Sequence, residues 1–132
     1  WTRIADDDAS AGQAIEATPN SGRNVQDSTD GPRADYRVVI KTTGTWYAWI
    51  RTAAPDTSDD SVHLGLNGKP ATFGEHGMGA NGGWRWVNEA DGRVQFEVAA
   101  AGLHTVNLWM REDGVKVDRI VLTTDQGWQP GG

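Results

Sequence analysis

Three consecutive charged residues, Arg111, Glu112 and Asp113, interrupt an otherwise apolar stretch of the chain. Guanidinium and carboxylate groups form strong, often bidentate hydrogen bonds, so this triplet could bind a ligand rich in hydroxyl groups. It could equally form a solvated turn, or Arg111 could pair with a carboxylate inside the protein. Glu112 and Asp113 would point apart on an extended chain, so we do not expect them to act as a catalytic acid–base pair.

Two tryptophans, Trp84 and Trp86, offer a different kind of contact. On a strand, residues two apart point to the same side, and the glycine-rich segment 74–83 precedes these two. An indole ring can stack on the C–H face of a sugar and bury apolar area there. Packing beneath the glycine-rich segment is the alternative. Because tryptophan is rarely buried completely, we expect at least one ring to be exposed.

Carboxylates also cluster near the start of the chain. Asp6, Asp7 and Asp8 are consecutive and could supply oxygen ligands to calcium, a hard cation. The segment lacks the spacing and the glycine of an EF-hand loop, and a solvated acidic turn is the alternative. The histidines have no metal-ligand spacing, although His76 lies in the glycine-rich segment and could touch a ligand.

Composition narrows the classes of function. The chain has 132 residues, enough for one domain with a core, and a net charge of −6, which argues against nucleic acid as the main ligand. It has no cysteine for a disulfide or a thiolate metal site. No apolar run is long enough to span a membrane, and no familiar catalytic motif is present. The start at Trp1 rather than methionine indicates a processed product or an excised domain.

Short segments with apolar–polar alternation predict the elements that would position these residues. Residues 46–52, 62–67 and 93–99 have the alternation of strands, and no segment of ten or more residues shows a helical period. Eight to ten strands, together with 17 glycines and 7 tryptophans, are typical of a sandwich. We therefore predict an all-β protein, an antiparallel β-sandwich of jelly-roll type.

The stretch from Leu103 to Thr123 predicts two further strands. These are residues 103–110 and 115–122, and the connection between them contains Asp113-Gly114. Asp-Gly is a strong signal for a two-residue hairpin loop, because glycine tolerates a positive φ. The pattern therefore predicts a hairpin whose charged tip is formed by residues 111–114.

Three segments together resemble carbohydrate-binding modules of the family 6 and family 35 type. Residues 44–51, GTWYAWIR, are similar to one strand of those modules, and residues 101–123 are similar to their last two strands. Residues 7–12, DDASAG, resemble their acidic N-terminal segment. The order and spacing of the three segments carry the resemblance, which covers nearly the whole chain.

The resemblance implies a β-sandwich that usually binds a structural calcium ion. The calcium ligands of such modules commonly include two glutamates one residue apart, whose places Ala5 and Asp7 hold in this chain. Asp118 matches the aspartate of their last strand, and Asp6 and Asp8 could add oxygen ligands. The predicted metal ligands are therefore Asp6, Asp7, Asp8 and Asp118, with calcium as the cofactor.

The resemblance also implies where a sugar would bind. Trp84 or Trp86 matches by position the tryptophan that often stacks on the sugar, and Lys116 matches a polar residue that often hydrogen-bonds it. The region around Asp27 matches a loop that often supplies a second ring, but it holds no aromatic residue. The predicted ligand-binding residues are Trp84, Trp86, Arg111, Glu112, Asp113 and Lys116, with Asn24, Asp27 and His76 as outer contacts.

The predicted function is that of a non-catalytic carbohydrate-binding module over residues 1–132, excised from a larger secreted, extracellular enzyme. It would be a monomer that targets an appended glycoside hydrolase or lyase to a polysaccharide, with no nucleic-acid or membrane partner. Its glycan would be neutral or lightly charged, such as a galactan, a xylan or an agar-type chain, because acidic groups disfavour heavily sulfated ones. The alternatives are a small polysaccharide-active enzyme on the same fold, or a structural or adhesion domain that packs on a neighbour.

Overall fold

The computed structural model describes residues 1–27, 29–77, 83–88 and 93–131, and for 72–77 it describes the backbone alone. Ten strands form in this part of the chain, where no helix is long and apolar enough to cross a membrane. The all-β prediction is confirmed. The strands are β1 (Thr2–Ala5), β2 (Gln13–Glu16), β3 (Arg33–Ile40), β4 (Gly44–Ala53), β5 (Ser61–Leu66), β6 (Lys69–Gly77), β7 (Arg85–Val87), β8 (Gln95–Val98), β9 (Gly102–Met110) and β10 (Lys116–Thr123).

Two antiparallel sheets make up the sandwich. The first has the order β1-β2-β10-β4-β8, and β7 also pairs with β4. The second has the order β6-β5-β9-β3. The sheets meet edge to edge at one residue pair, Thr72 with Gln95, between β6 and β8. The antiparallel sandwich predicted from the alternating segments is therefore confirmed.

The core lies between the sheets and uses the alternating positions that the sequence predicts. Val62 and Leu64 of β5 and Leu108 of β9 are fully buried, as is Ile50 from the opposite sheet. Burying each such side chain contributes about 1.5–3 kcal/mol. Strand β5 differs from the simple alternation, because its second face is buried as well. On that face the His63 ring meets the backbone carbonyl of Val25 at 3.2 Å, so the β2–β3 connection covers it.

The predicted hairpin over residues 103–122 is wrong. Strand β9 pairs with β3 and β5, whereas β10 pairs with β2 and β4, so the two strands belong to different sheets. Residues 111–115 cross from one sheet to the other. Gly114 still takes a positive φ of 86°, as the Asp-Gly turn signal requires. The turn at Asp113-Gly114 is thus predicted correctly from local sequence, but the choice of strand partner depends on distant parts of the chain.

Five glycines in the segment 74–83 predict a loop, and this prediction is wrong for the first part of the segment. Strand β6 extends to Gly77, and residues 75–77 pair with residues 61–63 of β5. Backbone hydrogen bonds to a buried neighbouring strand offset the entropic cost of ordering glycine there. Residues 78–82 lie outside the described part of the chain.

Three connections emerge at one end of the sandwich, here named the loop end. They are residues 17–32, 54–60 and 111–115. The strand registers bring them together, because Lys116 pairs with both Glu16 and Ala53, while Val62 pairs with Met110. Most of the predicted ligand-binding residues lie on or beside these connections, so the fold gathers them at the loop end.

Candidate functional site

Asp113 is a structural anchor of the loop end. It is 1% exposed, and its carboxylate accepts hydrogen bonds from the backbone N–H groups of Ser21 (2.8 Å), Gly22 (3.3 Å) and Arg23 (2.9 Å). Burial raises the pKa of Asp113, but these hydrogen bonds outweigh burial and leave the pKa below its ordinary value. The charged carboxylate therefore fixes the 17–32 connection.

Glu112 anchors a second connection in the same way. It is 7% exposed, and its Oε2 accepts hydrogen bonds from the Asp60 backbone N–H (2.8 Å) and the Ser61 hydroxyl (2.7 Å). Its Oε1 lies 3.1 Å from Arg111 Nη1 and 3.5 Å from Asn24 Nδ2. Arg111 also donates to the Ser61 hydroxyl at 2.6 Å. The charged groups of the triplet thus form most of their hydrogen bonds with partners inside the protein. This is one of the alternatives that the sequence leaves open.

The predicted outer contacts form the rim of this arrangement. Asn24 Oδ1 accepts a hydrogen bond from Gln26 Nε2 at 2.7 Å, and Gln26 Oε1 lies 3.4 Å from Arg111 Nη2. Asp27 is exposed and accepts hydrogen bonds from the backbone N–H and hydroxyl of Thr29. Asn24 is therefore tied to the anchored triplet, whereas the Asp27 carboxylate stabilises its own turn through Thr29.

Trp84 and Lys116 meet at Asp6, which joins two predicted sugar contacts to a predicted metal ligand. Asp6 accepts from Trp84 Nε1 at 3.3 Å and lies 3.4 Å from Lys116 Nζ. The Asp8 backbone N–H lowers the pKa of Asp6, burial opposes it, and Trp84 and Lys116 lower it further. The half-buried Trp84 ring also lies 5.3 Å from the Arg51 guanidinium carbon, a cation–π contact. The indole is thus fixed at its edge and on one face.

Asp118 binds the same arginine. Its Oδ2 contacts Arg51 Nη1 at 2.5 Å and accepts hydrogen bonds from the Ser10 backbone N–H (3.0 Å) and hydroxyl (2.6 Å). Burial raises the pKa of Asp118, but the Ser10 hydrogen bonds and the Arg51 charge outweigh it, so the pKa is lowered. Asp118 therefore ties β10 to the β1–β2 connection and to β4.

Trp86 lies opposite Arg51 on the neighbouring strand β7 and is half-buried. Its Nε1 is buried and, like Nδ2 of the buried Asn88, has no hydrogen-bond partner among the described residues.

Asp7, another predicted metal ligand, is exposed. The side chain of His76 lies outside the described part of the chain. No group of three or more His, Cys, Asp or Glu residues within the described ranges could hold a metal ion.

A polar cavity of about 290 Å³ opens at the loop end. Lys116 lines it and also contacts Asp6, so one side chain links the cavity to the residue that holds Trp84. Gly114 lines the cavity, and Asn20 packs so closely against it that a β-carbon at position 114 would lie 2.7 Å from Asn20 Nδ2. This cavity and Trp84 together are here named the candidate site. The cavity is lined by Glu16, Asn20, Ala53, Ala54, Pro55, Gly114 and Lys116.

A larger groove of about 430 Å³ lies at the opposite end, between the β5–β6 turn and β8. None of the predicted ligand-binding residues whose side chains are described lines it. The groove is larger, but it is the weaker candidate because the predicted ligand-binding residues with described side chains lie elsewhere. We therefore place the candidate site at the loop end.

Sequence reasoning missed Arg51, Ser10 and Asn20 as members of this region. The alternation of β4 places Arg51 on the face away from the core, which is the local signal that could have identified it. No local signal names its partner, because Asp118 lies 67 residues further along the chain. Ser10 and Asn20 lie in connections whose path only the assembled sandwich determines.

Asp59 adds a buried carboxyl group to the loop end. It is 7% exposed. Burial raises its pKa, the nearby Asp56 charge adds to this, a hydrogen bond with Asn20 opposes it, and the charges of Asp113 and Glu112 raise it further. The net pKa of Asp59 is raised. A negative charge at Asp59 is therefore unfavourable in the folded state at neutral pH.

We expect Asp59→Asn to raise Tm at pH 7 by about 2–4 °C. Because the folded pKa exceeds the unfolded one, the stability linked to protonated Asp59 is lost as pH rises through the folded pKa. The difference in Tm between Asp59→Asn and the wild type should therefore shrink as pH falls and Asp59 is protonated. Thermal unfolding followed from pH 7 to pH 4 measures this, with the exposed Asp30→Asn as the matched control. A lower Tm for Asp59→Asn than for the wild type at pH 7 would contradict the expectation.

Solved structures share this fold. A family 35 carbohydrate-binding module from Clostridium thermocellum aligns with a TM-score of 0.66 and 18% identity, over 93% of this chain and 87% of that one. An exo-β-1,3-galactanase from Phanerochaete chrysosporium aligns with a TM-score of 0.66 and 15% identity, over 92% of this chain and 26% of that one. A Podospora anserina β-(1,4)-mannanase carrying a family 35 module aligns with a TM-score of 0.59 and 19% identity, over 98% and 28%. At these identities the likeness shows the fold alone.

Sequence comparisons identify the family. Protein P23 from Formosa agariphila is 30% identical over 72% of this chain, and the chain spans 26% of the length of that protein. The family model for the glycosyl hydrolase family 115 C-terminal domain matches residues 1–130. The predicted resemblance to a carbohydrate-binding β-sandwich is confirmed by these matches together with the family 35 module. The chain belongs to the family of glycosyl hydrolase family 115 C-terminal domains.

Proposed function

We propose that this domain binds a glycan without cleaving it and holds an attached glycoside hydrolase on its polysaccharide. Its membership in a glycosyl hydrolase C-terminal domain family and its carbohydrate-binding-module fold support an accessory role. A module that stays bound to the polysaccharide raises the effective concentration of the attached enzyme near its substrate. Polysaccharides of this kind lie outside the cell, so the proposal implies a secreted, extracellular protein.

The observation that carries the proposal is the convergence of Trp84 and Lys116 beside the polar cavity. The cavity offers amide, ammonium and carboxylate groups from Asn20, Lys116 and Glu16, which suit the hydroxyl groups of a sugar. Trp84 is held by Asp6 and Arg51, so its ring is ordered before a ligand arrives. Because Glu112 and Asp113 are buried and hydrogen-bonded inside the protein, we give them the role of positioning residues for this site.

The ligand that we propose is a neutral or lightly charged chain, such as a galactan, a xylan or an agar-type polysaccharide. The domain carries a net charge of −6, and repulsion would disfavour a heavily sulfated chain. One of the solved relatives is an exo-β-1,3-galactanase studied with β-1,3-galactotriose, so a β-1,3-galactan belongs in the first set of glycans to test.

Affinity electrophoresis in gels that contain single polysaccharides tests the proposal. We expect retardation on at least one neutral glycan, without release of reducing ends. We expect Lys116→Ala to lose about tenfold in affinity, because it removes a charged hydrogen-bond donor from the cavity. Lys69→Ala, at an exposed lysine of the opposite groove, is the matched control. Unimpeded migration of the folded domain on every glycan, or release of reducing ends, would refute the proposal.

A specific surface feature favours a second candidate function, docking on the attached catalytic domain. Val39 and Leu103 are cross-strand partners on β3 and β9, and they are 69% and 57% exposed. Two exposed apolar side chains, one of them on the terminal strand β3 of the sheet, favour burial against another protein surface. The electrophoresis experiment separates the candidates, since docking alone predicts no retardation on any glycan.

A further inference from the structure

The carboxylates expected to hold calcium are already paired with cations of the chain itself. Asp118 forms an ion pair with Arg51, in which the two side chains are only 2% and 17% exposed. Asp6 lies 3.4 Å from Lys116 Nζ. Of the remaining predicted ligands, Asp7 and Asp8 have exposed side chains, and Asp8 contributes its backbone carbonyl to Arg51 instead. Two of the four carboxylates that the resemblance assigns to calcium are therefore already paired with cations of the chain.

Charge balance argues against adding a divalent cation to this arrangement. Two of the four predicted carboxylates, on Asp6 and Asp118, face two cations, on Arg51 and Lys116, so each of these two pairs is already neutral. Calcium requires about six to eight oxygen ligands at about 2.3–2.6 Å. An ion between these groups would lie beside a guanidinium and an ammonium group, and their repulsion would oppose its binding. The residues present do not fit a calcium ion.

Arg51 makes the connections that a metal ion would otherwise make. Its Nη1 and Nη2 lie 3.2 Å and 3.3 Å from the Asp8 carbonyl oxygen, and Nη1 also contacts Asp118. One planar group thereby joins the β1–β2 connection, strand β4 and strand β10. The guanidinium carbon also lies over the Trp84 ring, 5.3 Å from its centroid. Ser10 completes the link through two hydrogen bonds to Asp118.

We propose that the Arg51 guanidinium takes the structural place of the calcium ion and fastens the N-terminal segment to the last strand. The domain is then stable without calcium. The attachment of its N-terminal segment depends on the Arg51 side chain, which a chelator does not affect. This inference concerns the scaffold and is independent of whether the candidate site binds a glycan.

Thermal unfolding of the purified domain in a chelator and in millimolar calcium chloride gives the first test. An ion that binds only the folded state raises Tm, so the proposal predicts the same Tm in both solutions. It also predicts no binding heat when calcium chloride is titrated into chelator-treated domain. A higher Tm in calcium, or a saturable heat of binding, would overturn the proposal.

Variants of Arg51 give the second test. We expect Arg51→Met to lower Tm by roughly 5–10 °C, because it leaves Asp118 as a buried, unpaired charge. Arg51→Lys keeps the charge without the bidentate fork, so its Tm should fall less than that of Arg51→Met. The lysine variant therefore provides a folded sample if the methionine variant does not fold. Arg119→Met, at the exposed arginine opposite Arg51 on β10, is the matched control and should leave Tm unchanged. An Arg51→Met domain as stable as this control would overturn the proposal.

Discussion

Replacement of Asp113 by alanine is expected to lower the free energy of unfolding by about 3–5 kcal/mol. The carboxylate is buried and accepts three backbone hydrogen bonds from residues 21–23. Alanine would leave those N–H groups without their acceptor and would release the connection that forms one wall of the candidate site. Urea unfolding at pH 7, with the midpoint and slope fitted for each variant, measures the loss.

The matched control for this prediction is Asp125→Ala. Asp125 is exposed and accepts one hydrogen bond from the Gly127 backbone N–H within its own turn, so its loss should cost about 0.5 kcal/mol or less. If Asp113→Ala is as stable as this control, the anchoring role is refuted. If it also loses glycan affinity at full stability, Asp113 instead contacts the ligand directly, as its sequence position predicts.

Acid should weaken the same anchor. The folded pKa of Asp113 lies below the unfolded value of about 3.9, so its contribution to stability is present above that value. The contribution is lost as pH falls through the folded pKa, because a protonated carboxyl group accepts the three N–H bonds less well. The gap in unfolding free energy between the wild type and Asp113→Ala should therefore narrow below about pH 4.

Replacement of Trp84 by alanine is expected to weaken glycan binding by about 60-fold, provided that the proposed function holds. Stacking one indole face on a sugar removes on the order of 100 Å² of apolar surface from water, which is about 2.5 kcal/mol. Affinity electrophoresis over a series of polysaccharide concentrations gives the ratio of dissociation constants. We expect the loss of affinity to be accompanied by only a small fall in Tm, because the substitution removes one cation–π contact with Arg51 and one hydrogen bond to Asp6.

Trp128→Ala is the matched control for Trp84→Ala. Trp128 is 37% exposed and contacts Trp49 edge to face at 6.5 Å, so its removal deletes an indole outside the candidate site. Equal loss of affinity in both variants would contradict the special role of Trp84. Unchanged affinity in Trp84→Ala would move the site away from this ring altogether.

Alternation along the chain determined the strands and much of the core. The sequence predicts that Val94, Phe96 and Val98 share one face, and all three are buried. It predicts inward positions for Val62 and Leu64 equally well. These predictions succeed because burial of every second side chain is a local property of an extended chain beside one core. Strand pairing is not local, which is why the hairpin over residues 103–122 is wrong.

The candidate site shows the same division. Residue types and their spacing selected Trp84 and Asp6, and the family resemblance added Lys116. The fold brings these three residues together. Only the tertiary structure decided that Asp113 faces the protein interior and that Arg51 meets Asp118. A charged side chain has the same sequence signature in water and inside a protein. What distinguishes the two is whether distant backbone N–H groups or a counter-charge arrive beside it, and the packing of the two sheets determines that.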